Sequence, residues 1–210
     1  MSATRLTGYR YSVYSRAARM GLHLAGIDHA YQEANPFEAD VASQIRHPMG
    51  RVPLLQVGAE TLYETAAILT WCDAMRDWQA PPMVQARAVQ VGGIVDAYGY
   101  WPLVRQVYSH GWFRPAIGAP SDPDQLAAGL KASEQVLDML EDLAQSGAVL
   151  TGSTLTRADC HLAPMIDAFQ HVPEGAQALA KRRALSRWFD AIQTTPAFAE
   201  TAVGTFPEPR

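Results

Sequence analysis

Pro48-Met49-Gly50-Arg51-Val52-Pro53-Leu54-Leu55-Gln56-Val57-Gly58-Ala59-Glu60-Thr61-Leu62-Tyr63-Glu64-Thr65-Ala66-Ala67-Ile68 decides the fold. Two short strand-like runs, 53–57 and 61–63, flank Gly58-Ala59-Glu60, which is a hairpin signal. A helix pattern follows from Thr65 to Arg76, with Ile68, Leu69 and Cys72 spaced to face a core. Upstream, Arg5-Leu6-Thr7-Gly8-Tyr9 reads as a strand and Ser15 to Ala25 as a helix. Ala18, Leu22 and Ala25 form its apolar stripe, and Arg16, Arg19 and His23 lie on the opposite side. Gly26 suits a helix stop. Asp28 to Gln32 reads as a second strand, and Phe37 to Arg46 as a helix. The order strand, helix, strand, helix, hairpin, helix makes a small sheet with helices, whose first half can form a parallel crossover.

Downstream, Trp78-Gln79-Ala80-Pro81-Pro82-Met83 reads as a linker, because paired prolines stop a helix and stiffen a connection. After it nearly everything reads as helix. One run extends from Met83 to about His110, with Pro102 expected to kink or break it. Trp112 to Pro123, rich in proline and glycine, reads as a loop. Gln125 to Gln145 is amphipathic, and Ala184 to Gln193 is helical. Thr156-x-x-Asp159 matches a capping box with Leu155 at the staple position. The tail from Phe206 reads as extended.

The composition is that of a folded protein. Of 210 residues, 48% are hydrophobic and 18% charged, and the formal charge is -4. Intrinsic disorder is therefore disfavoured, and no basic excess exists to drive sequence-independent nucleic-acid binding. Two cysteines, Cys72 and Cys160, make no disulfide framework and read as buried thiols of a reduced compartment. No apolar run reaches the roughly 20 residues a bilayer span needs. Asn35, the only asparagine, precedes proline, so the sequence has no glycosylation acceptor. The reading is a soluble, cytoplasmic protein with no membrane and no nucleic-acid partner. Its six histidines are scattered without ligand spacing, so no metal is expected.

Two segments carry chemistry. Arg51-Val52-Pro53 enters a strand at a proline, which is tolerated where the preceding peptide bond is cis and the chain turns. An extended peptide can pair there as an added strand. Glu64-Thr65 stands where a strand becomes a helix. The N–H groups of that helix start and the Thr65 hydroxyl suit a carboxylate, and Glu64 suits an ammonium. The same residues also suit a buried turn and a threonine cap. Tyr9-Arg10-Tyr11-Ser12-Val13-Tyr14-Ser15 runs from a strand end into a helix start. A hydroxyl there, with the helix dipole, can stabilise a thiolate, though a serine cap with loop tyrosines fits as well.

In order and spacing these segments resemble a cytosolic glutathione transferase of the serine type, similar to the zeta and theta classes and to bacterial members. The resemblance also takes in Asn35-Pro36, Leu155-Thr156-Arg157-Ala158-Asp159-Cys160-His161-Leu162-Ala163-Pro164, and Trp188 followed by Pro196-Ala197-Phe198. It implies an α/β thioredoxin-like domain over 1–79, a linker over 80–83 and an all-helical bundle over 84–210. It further implies a homodimer with its site at the domain interface.

In that resemblance Val52, before Pro53, pairs with the cysteinyl backbone of glutathione. Glu64 and Thr65 hold its γ-glutamyl end, and Arg51 the glycyl carboxylate. The activating serine of such classes stands seven positions before an arginine of the first helix, the spacing of Ser12 to Arg19. Ser12 is therefore the expected catalytic hydroxyl, with Tyr11, Ser15, Tyr14 and Tyr9 as alternatives. No cysteine lies among these residues, which argues against chemistry through an enzyme thiol. Glutathione is implied as co-substrate. The second substrate is implied to be a small hydrophobic electrophile, lodged by Tyr11, Tyr98, Trp101 and Tyr108, in a detoxifying conjugation. A glutathione-dependent isomerase or lyase, or a glutathione-binding protein without turnover, would use the same fold.

Overall fold

The computed structural model describes residues 4–38, 40 and 45–204. Strands β1 (Thr4–Gly8), β2 (Ala30–Glu33), β3 (Leu54–Val57) and β4 (Glu60–Tyr63) form one sheet in the order β2-β1-β3-β4. Helix α1 (Val13–Leu24) carries the chain from β1 to its parallel neighbour β2, the expected crossover. β3 and β4 then pair antiparallel as the hairpin, with Gly58 in its turn at φ 60°. Helix α2 (Thr65–Met75) follows directly.

Leu6, Leu55, Ala18, Leu22, Ile68 and Cys72 form the buried cluster between sheet and helices. Two glycines make its geometry possible. At Gly21 a Cβ would lie 2.5 Å from Leu69 Cδ2, so its absence lets α1 and α2 approach. Gly26, at φ 64°, ends the α1 turn in the left-handed region that glycine tolerates. Half of the helix expected over 37–46, residues 39 and 41–44, falls outside the described residues. Phe37, Glu38, Ile45 and Arg46 on either side are not helical.

Compact units divide between Gln79 and Ala80, but not by a single cut. Pro196–Val203, assigned by sequence to the second domain, packs with the first unit. The reason lies on α1. Arg16 donates to Phe198 O, and Arg19 donates to Glu200 O and Thr201 O. The polar side of α1 is thus covered by the returning chain and its short helix Pro196–Ala199.

The second unit is helical. α3 begins at Pro82, inside the expected linker, and runs to Ile94. Pro102 does not break the helix after it, because the chain continues as a π-helical stretch, Val95–Phe113. Pro102 supplies no N–H to that helix, so one carbonyl of the preceding turn is left without its helical donor. The loop expected from Trp112 is shorter than its prolines and glycines predicted. Pro115 lies in α4 (Arg114–Ala116), which continues the preceding helix without a break, and Gly118 at φ 70° follows it.

α5 (Pro123–Gln145) starts earlier than expected because Asp122 caps it, accepting from Asp124 N–H at 2.9 Å. Its Gly129 lies against the π-helical stretch, where a Cβ would sit 2.5 Å from Gln106 Cβ. α6 (Arg157–Gln170) opens with the expected capping box. α7 (Pro173–Ala180), unforeseen in the sequence, and α8 (Arg183–Gln193) complete the unit. Among the described residues no helix is long and apolar enough to cross a membrane. The tail from Phe206 lies outside them.

Candidate functional site

Register brings three sequence segments to one end of the sheet. Thr7 pairs with Leu54, and Leu54 with Tyr63, in a single row. Past that row β1 leads into Tyr9–Ser12, β3 is entered through Val52–Pro53, and β4 leads into Glu64–Thr65. The Val52–Pro53 peptide is cis.

Ser12 is the N-cap of α1, and its Oγ accepts the Ser15 N–H at 3.2 Å. A hydroxyl has two acceptor lone pairs and one proton, so capping leaves the proton for a second partner. Ser15 is placed differently. It is 1% exposed, and its Oγ accepts the Tyr9 N–H at 3.1 Å, which turns it into the protein. Tyr9 packs edge-on against Tyr11 and Phe37. Burial, together with the nearby Tyr11 and Glu33, pushes its phenol up to about 12. Such a phenol is a weak acid at neutral pH.

Glu64 has φ 68°, a region that side-chain-bearing residues rarely occupy and that concentrates at ligand clamps. As N-cap of α2 it contributes no side-chain hydrogen bond to the helix, and its side chain is 73% exposed. Thr65, the first residue of α2, is 6% exposed. Arg51 is exposed at the surface.

One neighbour was not singled out by sequence. His47, read only as one of the scattered histidines, directs Nε2 toward Glu64 Oε1 at 3.6 Å. Its ring meets the Tyr63 ring at 4.9 Å between centroids. Spacing gives no sign of this pair, because it joins a loop to the N-cap of α2, beyond the hairpin.

The aromatic residues expected to lodge an electrophile divide. Tyr11 belongs to the first unit. In the second, Tyr98 and Trp101 are exposed on the π-helical stretch. Tyr108 instead stacks on Trp112 at 5.5 Å, with His171 edge-on to both. Both cysteines are buried in helices, and burial pushes the Cys72 thiol up to about 12. Among the described residues no group of three or more His, Cys, Asp or Glu could hold a metal.

Family models of known proteins match both units. Residues 6–78 match the glutathione S-transferase N-terminal domain, and residues 106–196 its C-terminal domain. The human protein glutathione S-transferase theta-1 is 29% identical over 163 residues, spanning 74% of this chain and 66% of its own length. Glutathione S-transferase F9 of Arabidopsis thaliana is 26% identical over 159 residues, 73% of this chain and 74% of that one. The fold agrees with solved structures. A theta class glutathione S-transferase from the citrus canker pathogen Xanthomonas axonopodis pv. citri, with glutathione bound, superposes at TM-score 0.74 with 22% identity, covering 98% of this chain and 99% of the other. With its thioredoxin-like sheet domain and its helical domain, the chain belongs to the glutathione S-transferase family of enzymes.

Proposed function

We propose that this protein is a glutathione transferase in which Ser12 donates a hydrogen bond to the glutathione sulfur. A thiol is activated by whatever stabilises its thiolate. A hydroxyl donor at the α1 start, aided by that helix terminus, supplies the stabilisation without a metal. The thiolate then attacks an electrophilic carbon of a small hydrophobic substrate. The sulfur–carbon bond forms, and the leaving group departs with its electron pair or the electrons move onto the acceptor. Tyr11, next to Ser12 in the first unit, is assigned to that substrate. Detoxification in the cytoplasm, by a homodimer, is the setting this chemistry suits.

Glutathione is assigned by its ends. The Val52 backbone pairs with the cysteinyl residue. Glu64 accepts from the γ-glutamyl ammonium, while Thr65 and the α2 N–H groups bind its carboxylate. Arg51 takes the glycyl carboxylate. The single observation that carries this reading is the convergence of Ser12, Val52–Pro53 and Glu64–Thr65 at one sheet end, with Glu64 held at φ 68°.

Calorimetric titration with glutathione and a panel of electrophiles tests it. The expected results are glutathione binding, weakened by Thr65→Ala, and consumption of one glutathione per turnover. Turnover that returns glutathione unconsumed makes the protein an isomerase or lyase. Binding without turnover over the panel overturns the catalytic assignment.

A further inference from the structure

We infer that His47 is a positioning residue for glutathione: as a neutral Nε2–H imidazole it holds the Glu64 carboxylate toward the γ-glutamyl ammonium. The inference rests on the proposed glutathione site and adds a residue to it.

Glu64 needs such a partner. Its backbone is fixed at φ 68°, but its side chain is mostly exposed. A solvated carboxylate on a rotatable stem loses side-chain entropy each time it is fixed on an ammonium. His47 is the opposite case, with only 6% of its side chain exposed. The Met49 N–H donates to His47 Nδ1 at 3.0 Å, and the Gly50 N–H donates to His47 O at 2.9 Å, closing a turn with Gly50 at φ 58°. Tyr63 packs against the same ring.

The first of these bonds settles the tautomer. A backbone N–H can only donate, so Nδ1 must offer its lone pair and the neutral ring carries its proton on Nε2. That proton faces Glu64 Oε1. At 3.6 Å the contact is longer than a hydrogen bond, so the inferred hold requires the exposed Glu64 carboxylate to move onto Nε2–H when the ammonium binds. His47 therefore ties the loop leading to Val52 to the helix start that holds Thr65, two parts of the site that the sequence keeps apart.

The test is ligand discrimination. Glutathione and an analogue lacking the glutamyl α-amino group are titrated into wild type, His47→Ala, His47→Phe and His47→Gln. The Phe variant keeps a ring against Tyr63 and removes both nitrogens, and the Gln variant restores an N–H donor. Wild type should prefer glutathione by about tenfold or more, the scale of one charge-assisted hydrogen bond. His47→Ala and His47→Phe should lose most of that preference while binding the analogue as wild type does, and His47→Gln should recover part of it. Variants that keep the full preference, or lose both ligands equally, overturn the inference. Wild type that binds neither ligand overturns the glutathione site itself, and the inference with it.

Discussion

Trp188 Nε1–H donates to Asp159 Oδ1 at 2.7 Å, and both residues are almost wholly buried in the second unit. The other carboxylate oxygen, Oδ2, takes the Thr156 N–H and the Thr156 hydroxyl, each at 2.7 Å. The capping box that starts α6 is thereby fastened to α8. Trp188→Phe leaves Oδ1 without this donor in an apolar setting and should cost about 1–3 kcal/mol. Asp159→Ala removes the box as well and should cost more. Urea denaturation of both variants checks this, and a cost at Trp188 no larger than that of a surface substitution would show the bond to be idle.

Glu141 caps a helix it does not belong to. Its two carboxylate oxygens accept the Ala184 and Leu185 N–H groups at 3.0 and 2.8 Å, at the α8 end where Arg182, the N-cap, contributes no side-chain bond. Burial raises the Glu141 pKa, but those two N–H bonds and Gln145 outweigh it and hold the group below its ordinary value. A carboxyl depressed in the folded state stabilises at pH above the unfolded value, and that stability is lost as pH falls through the folded one. The second unit should lose stability on acidification below the ordinary glutamate range. Glu141→Gln should be less stable at neutral pH and show a flatter acid slope, measured by thermal melts across pH. An unchanged slope would remove Glu141 from the acid response.

Legibility in the sequence followed the range of each interaction. The hairpin around Gly58, the stripe of Ala18 and Leu22, and the box of Thr156 and Asp159 are local patterns, and each is where the sequence placed it. The misreadings have local causes too. Pro102 reads as a break, yet the helix runs through it, because packing of the neighbouring turns outlasts one missing N–H. Pro115 reads as loop, yet it sits in the last turn of the same helical run. The rest depends on distant partners. Arg16 and Phe198 are separated by 182 positions, and no period links them. His47 and Glu64 meet only because the hairpin folds back. Ser12 and Thr65 were legible as site candidates because helix starts announce themselves in sequence, whereas their convergence is a product of strand register.

Ser12 and Ser15 lie on the same turn and should separate cleanly. Ser12→Ala removes an N-cap at a cost of about 1 kcal/mol, but its main effect should be on chemistry. Glutathione affinity should hold, while the bound thiol's pKa rises and turnover falls about tenfold or more, each pKa unit corresponding to about 1.4 kcal/mol. Ser12→Thr, which retains a hydroxyl, should preserve much of the activity. Ser15→Ala orphans the Tyr9 N–H and should cost stability with turnover retained. Thiolate absorbance titrations and steady-state rates decide the matter. A loss of turnover in Ser15→Ala alone would transfer the catalytic role.

Arg16 ties α1 to the returning segment Pro196–Val203. Its guanidinium lies 4.1 Å from the Phe198 ring centroid and donates to Phe198 O at 3.2 Å, with the side chain buried in α1. A buried cation is tolerated only when its charge is answered, and the carbonyl and ring face of the returning segment are part of that answer. Ending the chain at Thr195 takes both away from a helix that also carries the proposed catalytic cap. Such a truncation should destabilise the first unit in particular, with faster amide exchange in α1 than in α5 or α6. Phe198→Ala should do the same more mildly, at about 3–5 kcal/mol for a buried phenylalanine. Equal exchange in α1 with and without the segment would show that Pro196–Val203 rests on the first unit without supporting it.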